Sequence, residues 1–360
     1  MDAPGRLGCS GARGVSQMLW PLPVEPQEDE LLSSFLVRAA QRHGLSPYRF
    51  CAFHLPGVPV WNRDIDRSAS KELIAAVAVK AGLSPLRVAQ MTLRGPEARL
   101  SKDGARGSAS WINRIGVYHR LRRGWGQQYC PDCLAERPVL CGAWRISFMV
   151  VCSRHRRFLQ DACPHCDAPL AIHRQMLSVQ LCHHCSRMLG RIPQDPCVSI
   201  DPLLRAQYYF ERALCGGIAE IGGQTVCCED LFQGARVLAG LRALCSPSPR
   251  AAAQHRRRSL ELTRVQARAD VVLRVAEVLA SWPQGFKRIA KDQHLTQRSF
   301  VRSSLPGWLR SAVEELPLGR TRHSTPRKRH ALRAKLEQDR RRSTDWRATR
   351  AALLWQAARK

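Results

Sequence analysis

Apolar positions in the first third of the chain recur every three or four residues, which is the spacing of amphipathic helices. The first such run follows the acidic triplet Glu28-Asp29-Glu30, where negative charge suits a helix N-terminus, and it stops at Gly44. Its apolar positions are Leu31, Leu32, Phe35, Leu36 and Ala39. The pattern predicts a helix that buries one face, preceded by an extended apolar arm at residues 19–23.

A four-residue motif then occurs twice, as Gly44-Leu45-Ser46-Pro47 and as Gly82-Leu83-Ser84-Pro85. Each copy ends one periodic helix and begins the next, because glycine suits a helix end, serine caps a new helix and proline suits its first position. The repeat therefore predicts two helix–turn–helix units, over residues 30–53 and 70–93.

Two interpretations of these units stay open. The spacing is typical of helix–turn–helix units that bind DNA, and it equally suits an αα-hairpin without a ligand. Arg49 and Arg87 lie near the start of each second helix, where a recognition helix would meet DNA. Both arginines are therefore candidate DNA contacts.

Residues 61–67, Trp-Asn-Arg-Asp-Ile-Asp-Arg, separate the two units and carry paired carboxylates at Asp64 and Asp66. Such a pair serves in acid–base or metal chemistry. The interpretation that we favour is a helix-capping turn with a local ion pair between arginine and aspartate, since such pairs are common at surfaces.

The C-terminal half is also helical by its apolar spacing. Helices are predicted over residues 203–214, 230–244 and 259–281. A third helix–turn–helix candidate, residues 286–305, follows Trp282-Pro283. In it Thr296 would cap a second helix that carries Arg298 and Arg302, which are two more candidate DNA contacts.

The middle of the chain has a different pattern, four pairs of metal-ligating residues that are each separated by two residues. The pairs are Cys130/Cys133, Cys152/His155, Cys163/Cys166 and Cys182/Cys185. A two-residue gap lets both side chains bind one ion, so four pairs supply two tetrahedral zinc sites. One such pair would also suit a redox site. Sequential pairing, or a cross-braced pairing of first with third and second with fourth, uses the same ligands.

Each predicted zinc site has four protein ligands and no position for water, so the two Zn²⁺ ions would be structural and not catalytic. They would hold together a segment with few large apolar residues. The apolar run at residues 144–151 predicts a buried strand or helical turn between the first two pairs. Arg154 and nearby arginines form either a solvated basic face or phosphate contacts.

The net charge of the chain indicates the kind of partner that it binds. Of its 360 residues 44% are hydrophobic, which is ordinary for a folded protein, but its net charge is +28. So basic a surface favours nucleic acid as a partner, although an arginine-rich proteome would also raise the charge. The last 60 residues hold 16 Lys and Arg against five Asp and Glu, a net +11. They are a solvated tail or a nonspecific DNA contact.

Several classes are disfavoured. No apolar run reaches the roughly 18–20 residues of a membrane span, and the N-terminus lacks the apolar segment of a secretory signal. We therefore expect a reducing, cytoplasmic compartment, where thiolates bind metal instead of forming disulfides. A zinc hydrolase or nuclease would need an open metal position or a clustered set of catalytic acids, and the sequence offers neither, so an enzyme is not expected. No P-loop motif is present, so the chain should not be its own ATPase. The true start is Met1 or Met18.

These patterns together predict a mainly α fold, in which helix–turn–helix-like helical units flank a tandem zinc-ribbon or zinc-knuckle module. The predicted divisions are a disordered leader at 1–18, an N-terminal helical domain at 19–125, a zinc-finger module at 126–195, a C-terminal helical domain at 196–310 and a basic tail at 311–360.

The motifs in the first half resemble those of the TniQ family, accessory proteins of bacterial transposition modules. The segments that carry the resemblance are Leu22-Pro23 with residues 28–38 (EDELLSSFLVR), residues 61–66 (WNRDID), residues 127–135 (QQYCPDCLA), residues 144–155 and residues 161–170 (DACPHCDAPL). In the C-terminal half the resemblance is loose and rests on residues 281–286 (SWPQGF).

The resemblance implies a non-enzymatic adaptor that helps to select a target site and links DNA to an AAA+ ATPase regulator and a transposase. Some members bind DNA directly and others act with a CRISPR effector complex, and the sequence leaves both routes open, as it does a homodimer. The expected location is the bacterial nucleoid. A stand-alone transcriptional regulator with the same helical units is the alternative.

Overall fold

The computed structural model describes residues 19–100, 111–115, 124–174, 176–190, 199–241, 259–300 and 304–319. In this part of the chain the fold is mainly α, with four short strands in two antiparallel hairpins. The helices are α1 Leu32–Arg42, α2 Pro47–His54, α3 Ile65–Ser68, α4 Lys71–Ala81, α5 Pro85–Gln90, α6 Arg94–Leu100, α7 Pro131–Glu136, α8 Asp201–Gly216, α9 Cys228–Ala239, α10 Val265–Ala280, α11 Gln284–Asp292 and α12 Gly307–Glu314. The strands are β1 Val151–Cys152, β2 Arg157–Phe158, β3 Ile218–Ile221 and β4 Gln224–Cys227.

The repeated Gly-Leu-Ser-Pro motif forms the turns α1–α2 and α4–α5. Gly44 and Gly82 adopt positive φ angles of 65° and 69°, which glycine tolerates. The hydroxyl groups of Ser46 and Ser84 accept hydrogen bonds from backbone N–H groups three residues later, at 3.3 and 3.2 Å. The predicted capping chemistry is confirmed. An αα-hairpin has the same caps, so a DNA-binding role of these units stays a prediction.

The third unit differs from its prediction. After α11 the described chain forms a 3-10 helix, Gln297–Phe300, in place of the expected start of an α-helix. Thr296 immediately precedes this 3-10 helix, and its backbone N–H donates to the Ser299 hydroxyl. The side-chain amide of Gln297 donates to carbonyl oxygens near the end of α12, which holds this segment against α12. Arg302 lies outside the described residues.

A first hydrophobic core lies among the N-terminal helices. Trp20, from the predicted extended arm, packs on Phe35 and Phe50, with ring centroids 5.7 and 5.1 Å apart. Its backbone N–H donates to the carbonyl of Lys80 at 2.7 Å. The arm therefore joins α1 and α2 to the end of α4, and all three aromatic side chains are buried.

A second core connects the middle of the chain to the C-terminal helices. Its centre is an aromatic cluster of Trp111, Phe148, Phe210 and Phe232, with ring centroids 5.5–6.2 Å apart. The indole N–H of Trp111 donates to the carbonyl of Phe232 at 3.0 Å. This core is continuous across residue numbers 125 and 195, and the division into domains at those positions stays a prediction.

Two elements of the C-terminal half were not expected. The hairpin β3–β4 turns at Gly222-Gly223, whose φ angles of 55° and 78° suit a two-residue connection. The single helix predicted over residues 259–281 is a 3-10 helix, Leu260–Leu262, followed by α10. The carboxylate of Asp161 accepts the backbone N–H of Val265 at 2.7 Å, so a residue about a hundred positions earlier caps α10.

A buried ion-pair network joins the N-terminal helices to the middle of the chain. The guanidinium of Arg145, which is fully buried, binds Asp64 at 2.5 Å and Asp66 at 3.2 Å. Asp66 also accepts hydrogen bonds from the backbone and hydroxyl of Ser33. A local arginine partner was expected for these carboxylates, whereas this partner comes from a distant segment.

Replacing Arg145 by Met should lower the free energy of unfolding at pH 7 by about 3–5 kcal/mol, because Asp66 would keep a buried charge without its guanidinium. Burial and the neighbouring Asp64 raise the pKa of Asp66 above the usual value of a carboxyl group. As the pH falls from 7, Asp66 of the folded variant therefore takes up a proton at a pH where Asp66 of the unfolded chain is still ionised. The free energy of unfolding of the variant should rise over this range.

Urea unfolding at pH 7 and pH 5 measures both effects. Arg42→Met, which removes an exposed arginine at the end of α1, is the control and should change the free energy by less than about 0.5 kcal/mol. A loss in Arg145→Met no larger than in this control would contradict a stabilising network.

Candidate metal centres

The first candidate metal centre combines a helix start with a hairpin turn. Cys130 immediately precedes α7 and Cys133 lies within it, where Pro131 occupies the first helical position. Cys152 is the last residue of β1, and His155 lies in the turn between β1 and β2. The Sγ atoms of Cys133 and Cys152 are 3.7 Å apart, and the Nδ1 atom of His155 lies 3.2–3.7 Å from all three sulfurs.

The second centre consists of two loops of the same construction. In each, the residue after the second cysteine, Asp167 or Ser186, has a positive φ angle and donates its backbone N–H to the carbonyl of the first cysteine at 2.9 Å. Backbone N–H groups also donate to the sulfurs of Cys163 and Cys182. The Sγ atoms of Cys163 and Cys185, and of Cys166 and Cys182, are 3.7 Å apart.

Both groups of side chains fit a zinc ion. With Zn–S near 2.3 Å and Zn–N near 2.0 Å, a tetrahedron has edges of about 3.8 Å between sulfurs and about 3.5 Å between sulfur and nitrogen. The distances of 3.2–3.7 Å match these edges. Within each group all ligand atoms lie within 4.8 Å of one another.

The structure decides the pairing that the spacing left open. The first and second pairs form one group, Cys130, Cys133, Cys152 and His155, and the third and fourth form the other, Cys163, Cys166, Cys182 and Cys185. This is the sequential arrangement. His165 lies beside the second group, but its Nε2 atom faces the carbonyl of Met188 at 3.2 Å.

The three thiols of the first group shift one another's pKa values. Contacts with the sulfurs of Cys130 and Cys133 lower the pKa of the Cys152 thiol far below its ordinary value, whereas contact with Cys130 raises the pKa of Cys133. Contact with Cys133 lowers the pKa of the Cys130 thiol, but contact with Cys152 and burial outweigh it and raise this pKa to about 11. A divalent cation would displace the protons that these thiols hold, as is usual for thiolate sites.

Glu136 does not face the sulfurs of the first centre but contacts its histidine ligand, His155. The Nε2 atom of His155 lies 3.0 Å from its carboxylate, so Nε2 holds the proton and Nδ1 is left to face the sulfurs. The same carboxylate pairs with Arg154 at 2.8 Å. Sequence reasoning missed Glu136, although its place three residues after Cys133 on the same helix was a usable signal.

The candidate DNA contacts in the described part of the chain lie on four separate elements. Arg49 lies on α2, Arg87 on α5, Arg154 at the first centre and Arg298 on the 3-10 helix after α11, and all four side chains are exposed. Arg154 already pairs with Glu136, and this pair is weak because both side chains face solvent.

In the described part of the chain, no helix has the length and apolar character needed to cross a membrane.

Comparison with protein families gives a match that includes the first centre. A family model described as TniQ matches residues 21–159, which contain the N-terminal helical units and all four side chains of the first centre. The match ends before Cys163, so the second centre lies beyond it. Among curated proteins, none matches the chain.

Metal analysis of the purified full chain should give about two zinc ions per molecule, because the two groups are separate and each has four ligands. Cys163→Ser should lower this number to about one, and Cys215→Ser, at an exposed cysteine outside both groups, should leave it at two. Mass spectrometry under non-denaturing conditions measures the stoichiometry. One ion in the unmodified chain, or none, would contradict the assignment.

Glu136→Gln should weaken zinc binding at the first centre by about 10- to 100-fold, since the hydrogen bond that orients His155 loses its charge. Competition with a chelator measures the affinity. Glu220→Gln, at an exposed position on β3, should not change it. Equal affinities in the two variants would show that Glu136 has no part in metal binding.

Proposed function

Since the chain belongs to the TniQ family through residues 21–159, we propose that it is a zinc-stabilised accessory protein of transposition that binds target DNA and links it to an AAA+ ATPase regulator and a transposase. Family membership itself implies a transposition-associated accessory role. Target-site selection and the two protein partners are the proposed part. The observation that carries the proposal is the family match over a segment that contains a complete four-ligand centre.

Two structural zinc ions are part of the proposal. Bound by the two groups of ligands, they would hold the ligand-carrying loops in place. Each group offers four protein ligands, which leaves no place for a reactive water molecule. This arrangement supports a non-catalytic protein, in agreement with an accessory family. The match does not favour the alternative of a stand-alone transcriptional regulator.

Direct contact with DNA is supported by the charge of the chain and by its distribution on helices. The net charge of +28 favours a polyanionic partner. On α11 the exposed residues Lys287, Arg288 and Lys291 lie opposite the buried Phe286 and Ala290. A basic helix face with a packed apolar face suits contact with phosphates. The proposed location is the bacterial nucleoid.

The affinity for duplex DNA should fall steeply as salt rises, because bound phosphates release counterions. Replacing both Arg49 and Arg87 by Ala should weaken binding and reduce the slope of log affinity against log salt by about two. Arg205→Ala with Arg212→Ala removes the same charge from exposed positions of α8 and should leave the slope nearly unchanged. Fluorescence anisotropy at several salt concentrations measures it. Equal slopes in the two double variants would remove Arg49 and Arg87 from the interface.

The proposed link is tested by reconstitution. The full chain, DNA, an AAA+ ATPase regulator and a transposase of the same transposition module should form a complex that elutes together. Leaving out the chain should separate the ATPase from the target DNA. A CRISPR effector complex and a second copy of the chain are further partners to include. Recruitment of the ATPase that is the same without the chain would contradict the proposal.

A further inference from the structure

A small cavity opens beside α2, on the face of the N-terminal helices that meets the middle of the chain. Its volume is about 330 Å³, near the lower end of the range for ligand pockets. Tyr48, Cys51, Val60, Trp61 and Asn62 are among its lining residues. Its size suits one flat ring system more than an extended chain.

The wall of the cavity is aromatic. The rings of Tyr48 and Trp61 have centroids 6.3 Å apart, and both rings contact His173. The indole N–H of Trp61 donates to the carbonyl of Pro47 at 3.2 Å, which fixes the ring and satisfies its polar atom. Tyr48 is 47% exposed although its ring is held at this wall. An incoming flat group would therefore find a ring that is already positioned for stacking.

Three exposed arginines, from two distant parts of the chain, are next in sequence to residues of the cavity or of its aromatic wall. Arg49 follows Tyr48, Arg63 follows Asn62, and Arg174 follows His173, and all three arginines are exposed. None of them has an ion-pair partner among the described residues. The stretch from residue 45 to residue 63 contains no Asp or Glu. Asp64, which follows Arg63, is mostly buried and paired with Arg145, so the exposed groups beside the aromatic wall attract an anion.

We propose that this cavity, with Tyr48 as the stacking ring, binds an unpaired nucleobase, while the adjacent arginines contact the phosphates on either side of it. An exposed aromatic ring next to a basic track is the arrangement by which proteins bind single-stranded nucleic acid. The chain would then prefer single-stranded or locally unpaired nucleic acid at this surface. A base within a duplex cannot reach Tyr48, because both of its faces are stacked.

The charge decides between this ligand and a peptide. A proline-rich peptide also packs on aromatic side chains, but it carries no anion that would use Arg49, Arg63 and Arg174. A nucleotide uses both features at once, because its base stacks and its phosphate is negative. The inference rests on the proposed function only in taking nucleic acid as the partner. The duplex contacts proposed through Arg87 and α11 do not depend on it, and Arg49 is common to both surfaces.

The experiment measures the affinity of the zinc-loaded full chain for labelled 12-nucleotide single strands of dT, dA and rU and for a 12-base-pair duplex. Tyr48→Ala should weaken binding of the single strands about tenfold and change duplex binding less than twofold. Tyr48→Phe, which keeps the ring, should bind like the unmodified chain. Tyr208→Ala, at a tyrosine of similar exposure on α8, is the control and should leave all affinities unchanged.

An abasic strand of the same length supplies the second measurement. The unmodified chain should bind it about tenfold less tightly than the dT strand, and Tyr48→Ala should bind both strands equally. Equal affinity of the unmodified chain for abasic and dT strands would overturn the proposal, as would unchanged single-strand binding in Tyr48→Ala. A peptide-binding role predicts those results. The dT and rU strands separate DNA from RNA as the source of the base.

A failure of the base site differs from a failure of the proposed function. If only the base site is wrong, duplex binding and recruitment of the ATPase persist while Tyr48→Ala has no effect on single strands. If only the transposition role is wrong, recruitment fails while Tyr48 still matters for single strands. Zinc content and thermal unfolding of each variant confirm that the fold is retained.

Discussion

Buried carboxylates fix how the parts of this protein meet. Glu30, Asp66, Asp161 and Glu261 are each at most 2% exposed, and each is bound by an arginine. A buried carboxylate without its partner is costly, so these pairs tolerate little displacement of the segments that carry them. Asp66 and Arg145 join the N-terminal helices to the middle of the chain, and Asp161 and Arg264 join the middle to α10. The cores between these segments depend on that alignment.

The two metal centres belong to the same middle segment of the chain as Arg145 and Asp161. The first is built from α7 and the turn of a two-stranded hairpin, and the second from two short loops. Leu170, Val179 and Leu189 already bury these loops in the second core, and zinc ligation would add a further constraint on them. Gln207 on α8 accepts the backbone N–H groups of Val150 and Val151, which ties the hairpin of the first centre to the C-terminal helices.

The contacts described above also position the surface that is proposed to bind nucleic acid. His173, from the loop between the ligand pairs of the second centre, contacts Trp61 and Tyr48 from the N-terminal helices. The proposed base site therefore combines two parts of the chain, and the exposed arginines around it come from both. An arrangement that holds such parts together suits the proposed adaptor between nucleic acid and other proteins.

The sequence by itself determined the local chemistry: the Ser-Pro caps of α2 and α5, and the eight ligands in four pairs, because each depends on residues only a few positions apart. Only the tertiary structure showed the contacts between residues that are far apart in the sequence. It selected sequential pairing of the ligands, gave Asp66 the distant partner Arg145, capped α10 with Asp161 and placed Glu136 behind His155. It also held residues 297–300 against α12 instead of starting the predicted helix, since hydrogen bonds to a neighbouring element outweighed local helix propensity.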